Sequence, residues 1–130
     1  LPNYNHLFDG TLDLLDYLKE KYHLHIITNG FQEVQSLKME KSGLSSYFKQ
    51  IITSESVGLK KPNPKIFEFA LQISEATLDN SIMIGDSLEA DIQGALAIGF
   101  QAIHCNFENI EIEVDNFISV KSLLEIKQYL

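Results

Sequence analysis

A chain of 130 residues with 45% hydrophobic content is long enough to bury one core and too apolar to be a disordered tail. A formal net charge of -8 disfavours binding through a nucleic acid backbone or to an anionic membrane. Cys105 is the single cysteine, so no internal disulfide forms, and no apolar stretch is long enough to span a bilayer or to read as a signal peptide. A reducing, cytoplasmic setting is expected.

Leu12, Leu14, Leu15 and Leu18 recur at helical spacing and predict a helix from about Thr11 to Lys21, with Asp9 or Thr11 as its cap. A strand follows near Leu24 to Thr28, then a helix from about Phe31 to Ser42 closed by Gly43. A short helical turn near Ser45 to Phe48 leads to a strand near Gln50 to Thr53. Asn63 reads as an N-cap and Pro64 as the first residue of a helix running to about Ile73, because that position needs no amide hydrogen. Ser81 to Gly85 is an apolar run of the kind found in buried parallel strands. Beyond it come a helix from about Glu89 to Ile98 stopped by Gly99, a strand near Gln101 to Cys105, a short strand near Asn116 to Ile118, and a last helix from about Val120. Gly94 is expected to let its helix lie close on the sheet. Such alternation predicts an α/β fold, a doubly wound parallel sheet with right-handed crossovers. No linker or repeat divides it.

Three segments carry chemistry. Asp86 stands where an apolar strand ends, and Asp91 opens the helix beyond it; together they offer the hard oxygens that magnesium takes, leaving positions for water and a phosphate oxygen. Thr28-Asn29-Gly30 ends another strand, where a hydroxyl and successive backbone donors suit a phosphate. Lys61 is fixed just before the helix that begins at Pro64. The duller reading of each part is a turn or a cap. His23 and His25 share a strand face but lack a third ligand, so a structural role is expected. His104 ends a strand on the carboxyl side, where it can touch a substrate, while Cys105 reads as a small buried apolar residue. Ser87 is left open between turn and ligand; Lys60 is expected in solvent, and Phe67, Phe69 and Phe100 in the core.

Threonine, lysine and an acidic pair in that order resemble the second, third and fourth motifs of the haloacid dehalogenase superfamily. The likeness runs from about Leu7 to Leu130 and is closest to a helical-cap subgroup whose sequences read T-N-G, K-P-x-P-x-I-F and G-D-S-x-x-x-D-I, bacterial pyrimidine nucleotidases among them. That family's first motif, Asp-x-Asp-Gly-Thr, supplies the nucleophile and the proton shuttle. Here the only candidate, Leu7-Phe8-Asp9-Gly10-Thr11, places leucine at the attacking position, and leucine cannot form an aspartyl phosphate. A single helix separates Thr11 from Thr28, leaving no room for a cap, so Asp9 reads as a decoy at a helix entrance. The whole chain, residues 1–130, is therefore expected to be the post-cap, C-terminal portion of a catalytic core, lacking the nucleophile strand. A first residue Leu1 in place of methionine fits a trimmed or cleaved product, and equally the removal of a tag.

The resemblance implies magnesium-dependent phosphomonoester hydrolysis through an aspartyl phosphate whose Asp comes from outside this chain. Lys61 is then catalytic and charge-neutralising. Thr28, Asn29 and Lys61 hold the phosphate, and Asp86 and Asp91 serve Mg2+, Asp91 directly or through water. Nucleoside monophosphates are the substrate suggested by the subgroup. Metal-independent haloacid dehalogenation and a catalytically dead binding core are the competing readings. Loss of the nucleophile strand leaves two apolar strand edges, so the expected partner, besides a small phosphorylated substrate, is an N-terminal fragment of the same protein or a strand-exchanged copy.

Overall fold

The computed structural model describes residues 10–30, 37, 40–41, 43–113 and 116–130. Leu7, Asp9 and most of the helix expected over Phe31 to Ser42 lie outside the described residues, although Leu37, Glu40 and Lys41 are helical. In chain order come α1 (Thr11–Lys19), β1 (His25–Thr28), a 3-10 turn at Ser45–Tyr47, β2 (Gln50–Thr53) and α2 (Ser54–Val57). There follow α3 (Pro64–Ile73), a 3-10 turn at Leu78–Asn80, β3 (Ile82–Gly85), a π-helical turn over Leu88–Gln93 and α4 (Gly94–Ile98). β4 (Gln101–Cys105), β5 (Ile118–Val120) and a 3-10 helix at Leu124–Gln128 complete the chain.

Every strand pair is parallel, as the alternation of elements requires. Among the described residues the strands form two separate sheets, β1-β2 and β3-β4-β5, with no ladder joining β1 to β3. A cavity of about 720 Å³ is lined by His25, Ile26 and Ile27 of β1 and by Ile82, Met83, Ile84 and Gly85 of β3. The gap explains a departure from expectation at β3. All four of its residues are only half-buried, as are all four of β1, whereas β4 is buried from Ala102 to Cys105. Their apolar side chains and one edge of each backbone face the slot.

Three apolar clusters hold the pieces. Ile66 and Phe67 of α3 are fully buried with Ile52, Ala95 and Phe100, and the Phe67 and Phe100 rings meet edge to face at 6.1 Å. Each such side chain contributes about 1.5–3 kcal/mol by leaving water. Leu15 packs with Leu44 beneath β1 and β2. Leu14 and Leu18 on the same helix join Ile103, Val120 and Ile126. α1 thus touches both sheets, and it and the turn after it reach the other end of the chain: Tyr17 Oη of the helix and Lys21 Nζ of the turn donate to the Leu130 carbonyl at 3.1 and 2.5 Å.

Several local expectations need correction. The N-cap of α1 is Gly10, not Asp9 or Thr11; Gly10 has φ 83°, and a β-carbon there would strike the Leu124 side chain. Gly94 lies against Phe67 and Pro62 rather than the sheet, because α4 packs on the start of α3. The last strand sits two residues later than expected: Val120 pairs with Cys105 and its carbonyl accepts from Asn106 N at 2.7 Å, so the chain turns helical only at Leu124. α2 was unforeseen. It is made by the reciprocal capping of Thr53 and Ser56.

Candidate active site

Asp86 follows the last residue of β3 and is exposed. Directly before it, Gly85 has no side chain, and a β-carbon there would fall on the Asp91 carboxylate. Asp91 therefore lies across the end of the strand, only 5% exposed. Its Oδ1 accepts from Lys61 Nζ at 2.5 Å and its Oδ2 accepts from Ser87 N at 3.1 Å. Both side chains of the ion pair are largely shielded, at 12% and 7% exposure, so solvent screens them little.

Ser87 caps the turn that follows it. Its Oγ accepts from Ala90 N at 3.1 Å, and its carbonyl accepts from both Asp91 N and Ile92 N, which opens the turn into π geometry at the very residue that meets Lys61.

Across the slot, Thr28 ends β1 and its hydroxyl oxygen accepts from Gly30 N at 3.2 Å, leaving the O–H as a donor. The Asn29 side chain turns toward the loop before α3: Oδ1 accepts from Lys61 N at 2.8 Å and Nδ2 donates to Lys61 O at 3.3 Å. Ser54 Oγ donates to the Asn29 carbonyl at 3.0 Å. At the head of α3, Asn63 Oδ1 accepts from Lys65 N and Pro64 opens the helix. A line of polar contacts thus runs from the end of β1 through Asn29, Lys61 and Asp91 to the end of β3. Lys61, Asp86 and Asp91 also line the cavity, so the slot opens into this cluster.

His104 is 1% exposed, so it does not face a substrate. Its Nε2–H donates to the Asp86 carbonyl at 3.1 Å, which leaves Nδ1 as a buried nitrogen without a partner among the described residues. Cys105 is buried, and burial pushes its thiol up to about 12, with Asp86 adding to the rise. Lys60 and His23 are exposed; His25 Nδ1 is buried without a partner among the described residues, and burial lowers the ring's pKa, with His23 and then Lys49 adding to the effect. Ser54 gave no signal in the sequence. Gly85 did: a glycine inside an apolar strand marks a close approach.

Asp86 and Asp91 suit a magnesium ion in donor chemistry, since magnesium is held by one or two carboxylates and otherwise keeps water and phosphate oxygens. Asp86 presents the accessible oxygens, while those of Asp91 are engaged by Lys61 and Ser87 N. Among the described residues no group of three or more His, Cys, Asp or Glu converges.

Comparison with known proteins gives the same picture. The model of the haloacid dehalogenase-like hydrolases matches residues 3–105. The pyrimidine 5'-nucleotidase YjjG of Escherichia coli is 36% identical over 124 residues, which cover 93% of this chain and 55% of that protein. A glyceraldehyde 3-phosphate phosphatase of Methanothermobacter thermautotrophicus is 37% identical over 106 residues, covering 82% of this chain and 47% of the phosphatase. Among solved structures, the HAD-hydrolase YfnB of Bacillus subtilis, bound to magnesium, superposes with a TM-score of 0.89 at 29% identity, over 95% of this chain and 56% of that one. The chain thus spans about half the length of the relatives it matches.

Proposed function

Because the chain belongs to the haloacid dehalogenase-like hydrolase family, we propose that the intact protein hydrolyses phosphate monoesters at the carboxyl edge of its sheets, with nucleoside monophosphates as the substrate class. The observation that carries this reading is the shielded Lys61–Asp91 pair beside Asp86, at the mouth of a strand-shaped slot. A lysine held there neutralises anionic charge on a phosphate and on any carboxylate that approaches it. The Thr28 hydroxyl and the Asn29 backbone amide donate to phosphoryl oxygens.

Magnesium, held at Asp86 with Asp91 beside it, would supply further positive charge to the phosphate and orient it. Asp91 keeps Lys61 aimed, and His104 holds the main chain of Asp86 from beneath. The residues described position and neutralise; they include no carboxylate placed to attack phosphorus. The attacking Asp and the proton shuttle come from a strand that fills the slot between β1 and β3. We assign that strand to an N-terminal segment of the same protein, so the 130 residues alone are the C-terminal portion of the core and lack activity.

The test uses the intact protein with a generic phosphomonoester and with pyrimidine nucleoside monophosphates, against Asp86→Asn and against chelation of divalent cations. Loss of most turnover under both treatments is expected. Unchanged turnover under both, or release of halide from 2-haloacids in their place, removes the assignment.

A further inference from the structure

The geometry points to Asn29 as a positioning residue that acts through Lys61, an inference that rests on the catalytic reading of Lys61 given above. Asn29 type and place suit a phosphate ligand, yet its side chain is spent elsewhere. Oδ1 and Nδ2 grip the two sides of one residue's backbone, the Lys61 N–H at 2.8 Å and the Lys61 C=O at 3.3 Å. A paired donor and acceptor fix both the position and the rotation of that segment, as a single bond cannot.

The grip spans 32 positions of sequence and joins the end of β1 to the loop before α3. Asn29 is itself tied, since its carbonyl accepts from Ser54 Oγ at 3.0 Å. On the far side the Lys61 side chain ends on Asp91 Oδ1. Lys61 is therefore held at its backbone by one sheet and at its ammonium by the other, across a slot that no ladder crosses. Without Asn29 the backbone anchor is lost, and Nζ is set by Asp91 alone. The consequence falls on the placement of charge, not on substrate binding: a displacement on the order of 1 Å at a positioned group costs about a hundredfold in favourable cases.

The experiment is a double-mutant cycle in the intact protein. Asn29→Ala is expected to lower kcat about tenfold or more on a phosphomonoester while KM moves by less than about threefold. In a Lys61→Ala background the same change is expected to cost less than about twofold, because its target has gone. Costs that multiply in the double variant would overturn the proposal, since they mean that the Asn29 side chain acts on the phosphate itself. Asn29→Ser serves as a second variant that keeps turn chemistry but cannot span both backbone groups; it should lose as much as alanine, and full activity with serine also overturns the proposal. Amide hydrogen exchange at Lys61 supplies a readout independent of turnover. The Lys61 N–H should exchange faster in Asn29→Ala than in the parent, and equal rates refute the clamp. If Lys61→Ala itself leaves turnover intact, the catalytic reading of Lys61 fails, and the exchange measurement still decides the clamp.

Discussion

Replacing Gly85 with alanine tests how the acidic end of the site is built. Gly85 has no left-handed backbone to defend, so its need for glycine is steric: an added β-carbon would sit well inside contact distance of Asp91 Oδ2, Cβ and Cγ. The carboxylate must swing away, and it then loses Lys61 Nζ and Ser87 N together. Hydrogen bonds to charged groups are worth about 1.5–3 kcal/mol each, so the expected destabilisation is about 3–6 kcal/mol. That is a large part of the roughly 5–15 kcal/mol that holds a domain folded. Gly58→Ala is the matched control. Gly58 has φ 83° with nothing within 4 Å of the added carbon, so only the left-handed backbone cost of about 1–2 kcal/mol applies. Urea titration of the intact protein, followed by far-ultraviolet circular dichroism, gives both values. A Gly85→Ala midpoint equal to the parent's, or a larger loss at Gly58 than at Gly85, would show that Asp91 is not packed across the strand as described.

Two further outcomes concern neighbouring charges. Lys61→Ala should lower turnover on the order of a hundredfold, whereas Lys60→Ala, a change at an exposed residue, should be nearly silent; steady-state kinetics on the two variants ranks them, and the reverse order refutes the choice of lysine. His25 titrates below its ordinary value in the folded state because burial, then His23 and Lys49, disfavour its charged form. A lowered folded pKa means that the unfolded chain binds more protons from about pH 6.5 downward, so this contribution is present above that pH and lost as pH falls through the lower folded value. Denaturation midpoints measured from pH 7.5 to 5 should fall less steeply in His25→Gln than in the parent, and parallel slopes would exclude the role.

Much of this was legible in the residues. The Pro64–Ile73 helix and the Gln50–Thr53 strand begin and end where their caps and patterns place them, because Asn63, Pro64 and the β-branched run act locally. The meeting of Lys61 with the fourth motif was legible as a neighbourhood, not as the ion pair with Asp91, since 30 residues separate the two and their packing decides which oxygen is reached. Asn29 stood out by its motif, but the contact of its side chain with the Lys61 backbone, 32 residues away, left no mark in the sequence. An asparagine in a turn has the same local signature whether it faces a phosphate or a backbone. Val120 misled in a different way: its burial against Leu14, Leu18 and Ile103 outweighed helix signals in the residues that follow, a tertiary effect no local pattern carries.

The contact between α1 and the 3-10 helix at Leu124–Gln128 bears on synthesis. Gly10 accommodates Leu124, Leu14 and Leu18 share a cluster with Ile126, and Tyr17 meets Leu130, so part of the packing surface of the earliest described helix lies 113 positions further along the chain. A ribosome adding about 5–20 residues each second leaves that leucine stripe partly uncovered for seconds after it emerges. The β2-α2-α3 portion has its partners nearby in the chain and is free to condense first. Chaperone occupancy on stalled nascent chains should therefore map to residues 11–18 and vanish when residues 124–130 clear the exit tunnel.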